Sequence, residues 1–100
     1  MKPRKLSELY KLVKERLEKS FKDDNEGFIC NCINALNWGE IITDSEYNKL
    51  DSDFQRRKEE ARHIAPQGYI DGYSWWEGEE QTSRIKFLDY LIELHENNNN

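Results

Sequence analysis

The chain repeats apolar side chains with the period of an α-helix over four stretches and loses that period between residues 63 and 80. Leu6, Leu9, Tyr10, Val13, Leu17 and Phe21 recur at three- and four-residue steps with Lys and Glu between them, which predicts an amphipathic helix over residues 4–22. The turn-forming run Lys22-Asp23-Asp24-Asn25-Glu26-Gly27 then breaks it. From Phe28 to Trp38, the residues Ile29, Cys32, Ile33 and Leu36 share one face, and Gly39 follows at the place of a helix C-terminal glycine. This segment is expected to be the buried central helix. Thr43-Asp44-Ser45-Glu46 has the spacing of a capping box, in which the Thr43 hydroxyl and the Glu46 carboxylate satisfy amides that a first turn leaves open. A third helix is expected to start there, with Tyr47, Leu50, Phe54 and Ala61 as its apolar stripe, a solvated charged stretch over 55–62, and a stop at Pro66.

Residues 63–80 read as a long irregular connection. The run Gly68-Tyr69-Ile70-Asp71-Gly72-Tyr73-Ser74-Trp75-Trp76-Glu77-Gly78 holds four of the eight Tyr and Trp residues and three of the five glycines. Loops longer than roughly 12–15 residues are uncommon in compact domains and are often functional. Beyond it, Thr82 or Ser83 can cap a last helix. That helix carries Ile85, Leu88, Leu91, Ile92 and His95 on one stripe and Phe87, Tyr90 and Leu94 on an adjoining one. An apolar arc this wide exceeds what one packed neighbour covers, so the helix is either central or part of a subunit interface, which leaves a homodimer open. The expected architecture is all-α: a compact bundle of about four helices with a long aromatic-rich loop before the last, residues 1–96 forming one domain and 97–100 a disordered tail.

Size and charge sharpen this picture. One hundred residues, 36% hydrophobic and 35% charged, support one small core. No apolar run approaches the roughly 20 residues that cross a bilayer, and the N-terminus leads into an amphipathic pattern, so a cytoplasmic location without membrane contact is expected. The net charge of −5 is segregated: residues 1–22 carry eight Lys and Arg against three Glu, whereas residues 23–55 carry eight Asp and Glu against one Lys. The simplest consequence is that the basic first segment attracts the acidic second one. A basic face on the first helix, through Arg4, Lys5, Lys11, Lys14 and Lys19, also suggests nucleic-acid contact, but overall acidity opposes the long-range attraction such binding exploits.

Residue types that carry chemistry are sparse. His63 stands at a charged helix end and His95 is placed flanking the core, so neither is positioned as a catalytic base beside a nucleophile. Cys30 and Cys32 lie about 200° apart on a helix and can neither bridge nor share a metal, and together with two separated histidines they offer no zinc spacing. Asp44, Glu46, Asp51 and Asp53 lack the glycine and terminal glutamate of a calcium loop and read as an exposed acidic face. No enzyme, metal or cofactor is expected.

The aromatic segment then has two readings. Trp75 and Trp76 can fold back over the ends of the first and last helices and supply a small domain with burial. Alternatively, an aromatic left at the surface anchors a partner inside an acidic rim. The candidate partner-binding residues are Tyr69, Asp71, Tyr73, Trp75, Trp76, Glu77, Glu79 and Glu80, a set suited to a basic protein surface. A variant gathers Tyr69, Tyr73, Trp75 and Arg84 around a nucleotide in an oligomer, with an aromatic stacking on the base and Arg84 holding a phosphate.

The segment Gly27-Phe28-Ile29-Cys30, Ala35-Leu36-Asn37, Gly39-Glu40-Ile41-Ile42-Thr43 and Glu46-Tyr47, followed by Trp75-Trp76 and Arg84-Ile85-Lys86-Phe87-Leu88-Asp89-Tyr90-Leu91-Ile92, resembles small accessory proteins of tailed bacteriophages. The resemblance covers most of residues 27–92 and brings no assigned activity and no catalytic or binding residues. It implies a setting: small acidic phage proteins often bind and disable host factors, including restriction, CRISPR and nucleotide-signalling defences. The first expectation is therefore a non-enzymatic inhibitor of a bacterial host protein, with a nucleotide sponge and nucleic-acid binding by the first helix as alternatives.

Overall fold

The computed structural model of the chain describes residues 4–19, 28–64 and 81–97, apart from the side chains of 62–64 and 81–83. Four helices account for most of them: α1 (Leu6–Lys19), α2 (Ile29–Trp38), α3 (Asp44–Ile64) and α4 (Gln81–Asn97). No strand occurs among the described residues, so the architecture is the all-α, four-helix one that the periodicity predicts. The hub is α1 rather than α2. It packs against α4, α2 and α3, because Leu9, Tyr10, Val13 and Leu17 are all fully buried and Ser7, buried beside them, widens their stripe.

The remaining core comes from the stripes read in the sequence: Ile29, Cys32, Ile33 and Leu36 of α2, Leu50, Phe54 and Ala61 of α3, and Phe87, Leu88, Leu91 and Ile92 of α4. Phe54 and Phe87 meet with ring centroids 6.3 Å apart and planes inclined by 60°, within the tilted geometry aromatic pairs prefer. Truncating either to alanine costs about 3–5 kcal/mol for cores of this kind. The wide arc of α4 is covered within the chain along these residues, and Ile85 and Tyr90 are half-buried at its margin.

Several element ends differ from expectation. Arg4 precedes α1, and its backbone N–H donates to Glu46 Oε2 at 2.8 Å. Helix α3 runs to Ile64, past the expected start of the connection at 63, and α4 already includes Gln81. Thr82 and Ser83 therefore lie within the first turn of α4 and cannot be its N-cap. Asn97 closes α4 rather than opening a tail.

The corner between α2 and α3 is held by two backbone motifs. Ile41 N–H donates to Leu36 O at 2.9 Å and Glu40 N–H to Asn37 O at 3.0 Å, the paired bonds of a Schellman ending. Such an ending needs one left-handed residue, and here it is Glu40, at φ 59°, not the expected glycine. Gly39 sits one place earlier at φ −83°, where an added Cβ would lie 3.2 Å from Ala35 O. The glycine thus relieves a close approach, and the left-handed strain falls on a glutamate.

Across the corner, Thr43 and Glu46 form the predicted capping box. Thr43 N–H donates to Glu46 Oε1 at 2.9 Å, and Glu46 N–H donates to Thr43 Oγ1 at 3.1 Å. Glu46 is also clamped by Arg4, whose Nε and Nη2 donate to its two oxygens at 2.9 and 3.1 Å. Arg4 Nη2 reaches Ile41 O at 2.7 Å as well. The Arg4 hydrogen bonds, aided by the Thr43 and Arg4 backbone amides against the opposing effect of burial, lower the Glu46 carboxyl from 4.5 to about 2. A carboxyl held below its unfolded value stabilises the fold fully above that value and loses the contribution as pH falls through the folded value. Urea midpoints measured from pH 6 downwards should therefore decline between about pH 4.5 and about pH 2. Glu46→Gln should be less stable at pH 6 and should flatten that decline; an unchanged profile would contradict the clamp.

Candidate functional site

The acidic string expected to face solvent is divided by the fold. Asp44 is exposed and Asp51 half-buried, but Glu46 is buried in the clamp and Asp53 is only 6% exposed. Asp53 lies on the stripe of α3 that faces α1 and α4, four residues before Arg57 and one before Phe54. Its Oδ2 accepts the Tyr10 hydroxyl at 2.8 Å and approaches His95 Nε2 at 2.8 Å. With Asp53 as acceptor, Nε2 carries the proton in this contact. The Tyr10 and His95 rings stack, with centroids 5.7 Å apart and planes 14° from parallel. Burial, together with the charge and hydrogen bond of Asp53, pushes the Tyr10 hydroxyl well above its ordinary value, so the phenol stays a donor.

Two readings from sequence are corrected here. Asp53 belongs to the core, and His95 does not flank the core but is fully enclosed in it. The physical reason is mutual satisfaction: a buried carboxylate, phenol and imidazole are tolerated when each partners the others. Their burial also sets what they can do. The Tyr10 and His95 rings are closed to a substrate, and of the three only Asp53 borders the cleft of about 430 Å³ lined by Leu6, Lys49, Ser52 and Arg56. Its Oδ1 already accepts from Arg56 Nη2 at 2.8 Å. The trio acts as a polar tie between three helices.

The basic face of α1 is largely matched within the molecule. Lys14 Nζ pairs with Asp89 at 2.7 Å and Lys11 Nζ approaches Glu96 at 3.6 Å. Lys19 pairs with Glu15 of its own helix at 3.1 Å, and Arg4 is held by Glu46. The expected attraction to residues 23–55 is realised by Arg4 alone among these contacts; Lys11 and Lys14 turn to α4 instead. Lys5 is exposed. A face whose cations already pair with neighbouring carboxylates gains less on meeting a nucleic acid.

Tyr69, Asp71, Tyr73, Trp75, Trp76, Glu77, Glu79 and Glu80 lie outside the described residues. Arg84, their companion in the nucleotide reading, is buried, and its guanidinium stands 4.4 Å from the centre of the Phe28 ring. It packs over the residue that precedes α2. Cys30 and Cys32 are free thiols, the second fully buried. Among the described residues no group of His, Cys, Asp and Glu is arranged to hold a metal ion, and no helix is long and apolar enough to cross a membrane.

The surface feature that sequence reasoning passed over is at the end of α2. Trp38 is 79% exposed and Ile41, three residues on, is 42% exposed. Ile41 also lines a groove of about 180 Å³ with Leu12, Glu15, Arg16, Lys19 and Leu36. A helical wheel holds the signal: Trp38 stands two residues, or about 200°, beyond Leu36 and so points away from the buried stripe. An aromatic at such a position has no core to enter. No protein-family model matches the chain, and comparisons with curated proteins and with solved structures find no significant match.

Removing the shared acceptor should strand two buried donors at once. Asp53→Ala is expected to lower unfolding free energy by about 3 kcal/mol, whereas Gln55→Ala on the exposed side of α3 should change it by less than about 0.5 kcal/mol. Equal effects in urea denaturation would show that the trio does not hold the helices together.

Proposed function

We propose that the chain is a non-enzymatic binding protein of the small phage-accessory kind, acting inside a bacterial host by occupying a surface of a host protein and so inhibiting it. The observation that supports this reading is Trp38, a large aromatic left 79% exposed. Fully buried aromatic anchors dominate protein interfaces because they bring large contact area at small entropic cost. A tryptophan that contributes little to its own fold gains from burial against another. Ile41, three residues on, is also exposed and borders a groove with Leu12 and Leu36. The acidic-aromatic segment from Tyr69 to Glu80 supplies a second contact region in this proposal, consistent with its composition. The nucleotide-sponge alternative is weakened by the position of Arg84 over Phe28.

The test is recovery of a partner from the bacterial host with tagged wild-type protein and with Trp38→Ala, read by native mass spectrometry. Wild type should carry one protein in fixed stoichiometry. Trp38→Ala should keep its stability within about 0.5 kcal/mol, as expected of an exposed position, and lose at least tenfold in affinity for that protein, a hot-spot effect of about 1.4 kcal/mol or more. Full retention by Trp38→Ala with loss by Trp75→Ala or Trp76→Ala would move the contact to the 69–80 segment. Recovery of a bound nucleotide and no protein would overturn the proposal.

A further inference from the structure

Resting on the reading of Trp38 as a docking residue, we infer that the surface it meets is cationic: a protein partner lays an arginine or lysine across the exposed indole and pairs it with the carboxylates of Glu40 and Asp44. The electrostatics of the corner carry this. Helix α2 ends at Trp38 with no basic residue in its last turn, so no side chain of that turn offsets the negative end of its dipole. Glu40 follows two residues later, at most about 7 Å along the backbone, and is exposed. Asp44 is also exposed and is tied to the last turn of α2 by Asn37 Nδ2, which donates to its Oδ1 at 3.0 Å. Arg4, which reaches the same corner at Ile41 O, is consumed by Glu46 at 2.9 Å. Glu40 and Asp44 are thus exposed carboxylates at the corner that carries Trp38, and an indole face itself attracts cations.

Other occupants fit the same surface poorly. A nucleic-acid base stacked on Trp38 would bring its phosphates beside Glu40, Asp44 and the carbonyl end of α2. A second copy meeting this face across a two-fold axis would set Glu40 and Asp44 against their own equivalents. A basic protein surface satisfies the indole and both carboxylates together, and arginine does so best because its planar guanidinium can stack and donate at once.

The probe is a hexa-arginine peptide titrated into the full-length, isotopically labelled protein, followed by amide and indole NMR signals at low and at moderate salt. The expected result is saturable shifts confined to the Trp38 indole and the amides of residues 38–44, with affinity reduced roughly fivefold by Trp38→Ala and by a similar factor by Glu40→Gln with Asp44→Asn. The same spectra report whether each variant is folded. Shifts spread evenly over the acidic surface, shifts centred elsewhere, or no shift at Trp38 would overturn the inference, as would a dimer in sedimentation that Trp38→Ala dissolves. The host-partner assay separates this from the preceding proposal. If Trp38→Ala loses the partner while Glu40→Gln with Asp44→Asn retains it, docking at Trp38 stands and the cationic partner fails; if Trp38→Ala retains it, the docking reading itself fails.

Discussion

One carboxylate, Asp53, fixes how three of the four helices meet. Apolar side chains supply most of the driving force for packing, but they are forgiving about rotation and register. The Tyr10–Asp53–His95 trio is not forgiving, because each contact to Oδ2 is 2.8 Å long and both donors are buried with it. Turning α1 or α4 by one residue would leave an enclosed phenol or imidazole without a partner, which costs more than a displaced methyl group. The stacking of the Tyr10 and His95 rings adds a second restraint between α1 and α4. The polar centre of the core thus selects one arrangement from the many that a leucine-rich seam would accept.

The N-terminal end of α3 is fixed by different means. Glu46 closes its own helix through the capping box and simultaneously holds Arg4, so the backbone entering α1 is registered against the start of α3. Together the two ties, at Glu46 and Asp53, lie seven residues apart on the same side of α3, two helical turns, and orient it along α1. The surface pairs Lys14–Asp89 and Lys11–Glu96 run along the antiparallel α1–α4 seam. Each is worth little alone because solvent screens it, but both oppose the reversed direction, which would set Lys11 and Lys14 away from these acids.

How much of this was legible in the sequence depends on range. Interactions within one helical turn could be read directly: the Thr43–Glu46 capping box, the stripe Ile29, Cys32, Ile33, Leu36 and the stripe of α4 all reflect spacing. Interactions across 42 or 43 residues, such as Arg4 with Glu46 and Tyr10 with Asp53, could not. A polar residue on an apolar stripe looks solvated until its distant partner is known, which is why Asp53 and His95 were read as peripheral. The Glu40 position was obscured by its neighbour, since Gly39 has the residue type of a left-handed cap while serving a close approach. The candidate site was only half legible: Trp38 could have been found from its angle to Leu36, whereas the companionship of Asp44 required the Asn37 contact.

The end of α2 shows where packing and surface composition diverge. A Schellman ending is most stable with glycine at its left-handed position, and a side chain there costs on the order of 1 kcal/mol. Here that position carries a carboxylate, placed at the negative end of a helix where charge of the same sign is further disfavoured. The neighbouring Trp38 is equally out of place for stability, being exposed where a polar residue would serve the fold as well. Two departures from the most stable choice on either side of Gly39, at a corner otherwise tied by Schellman bonds, a capping box and the Arg4 clamp, leave local folding as a poor account of either. They are reconciled by the proposed docking, in which the corner is a rigid mount: the backbone bonds hold the geometry, and Trp38 and Glu40 serve the proposed interaction.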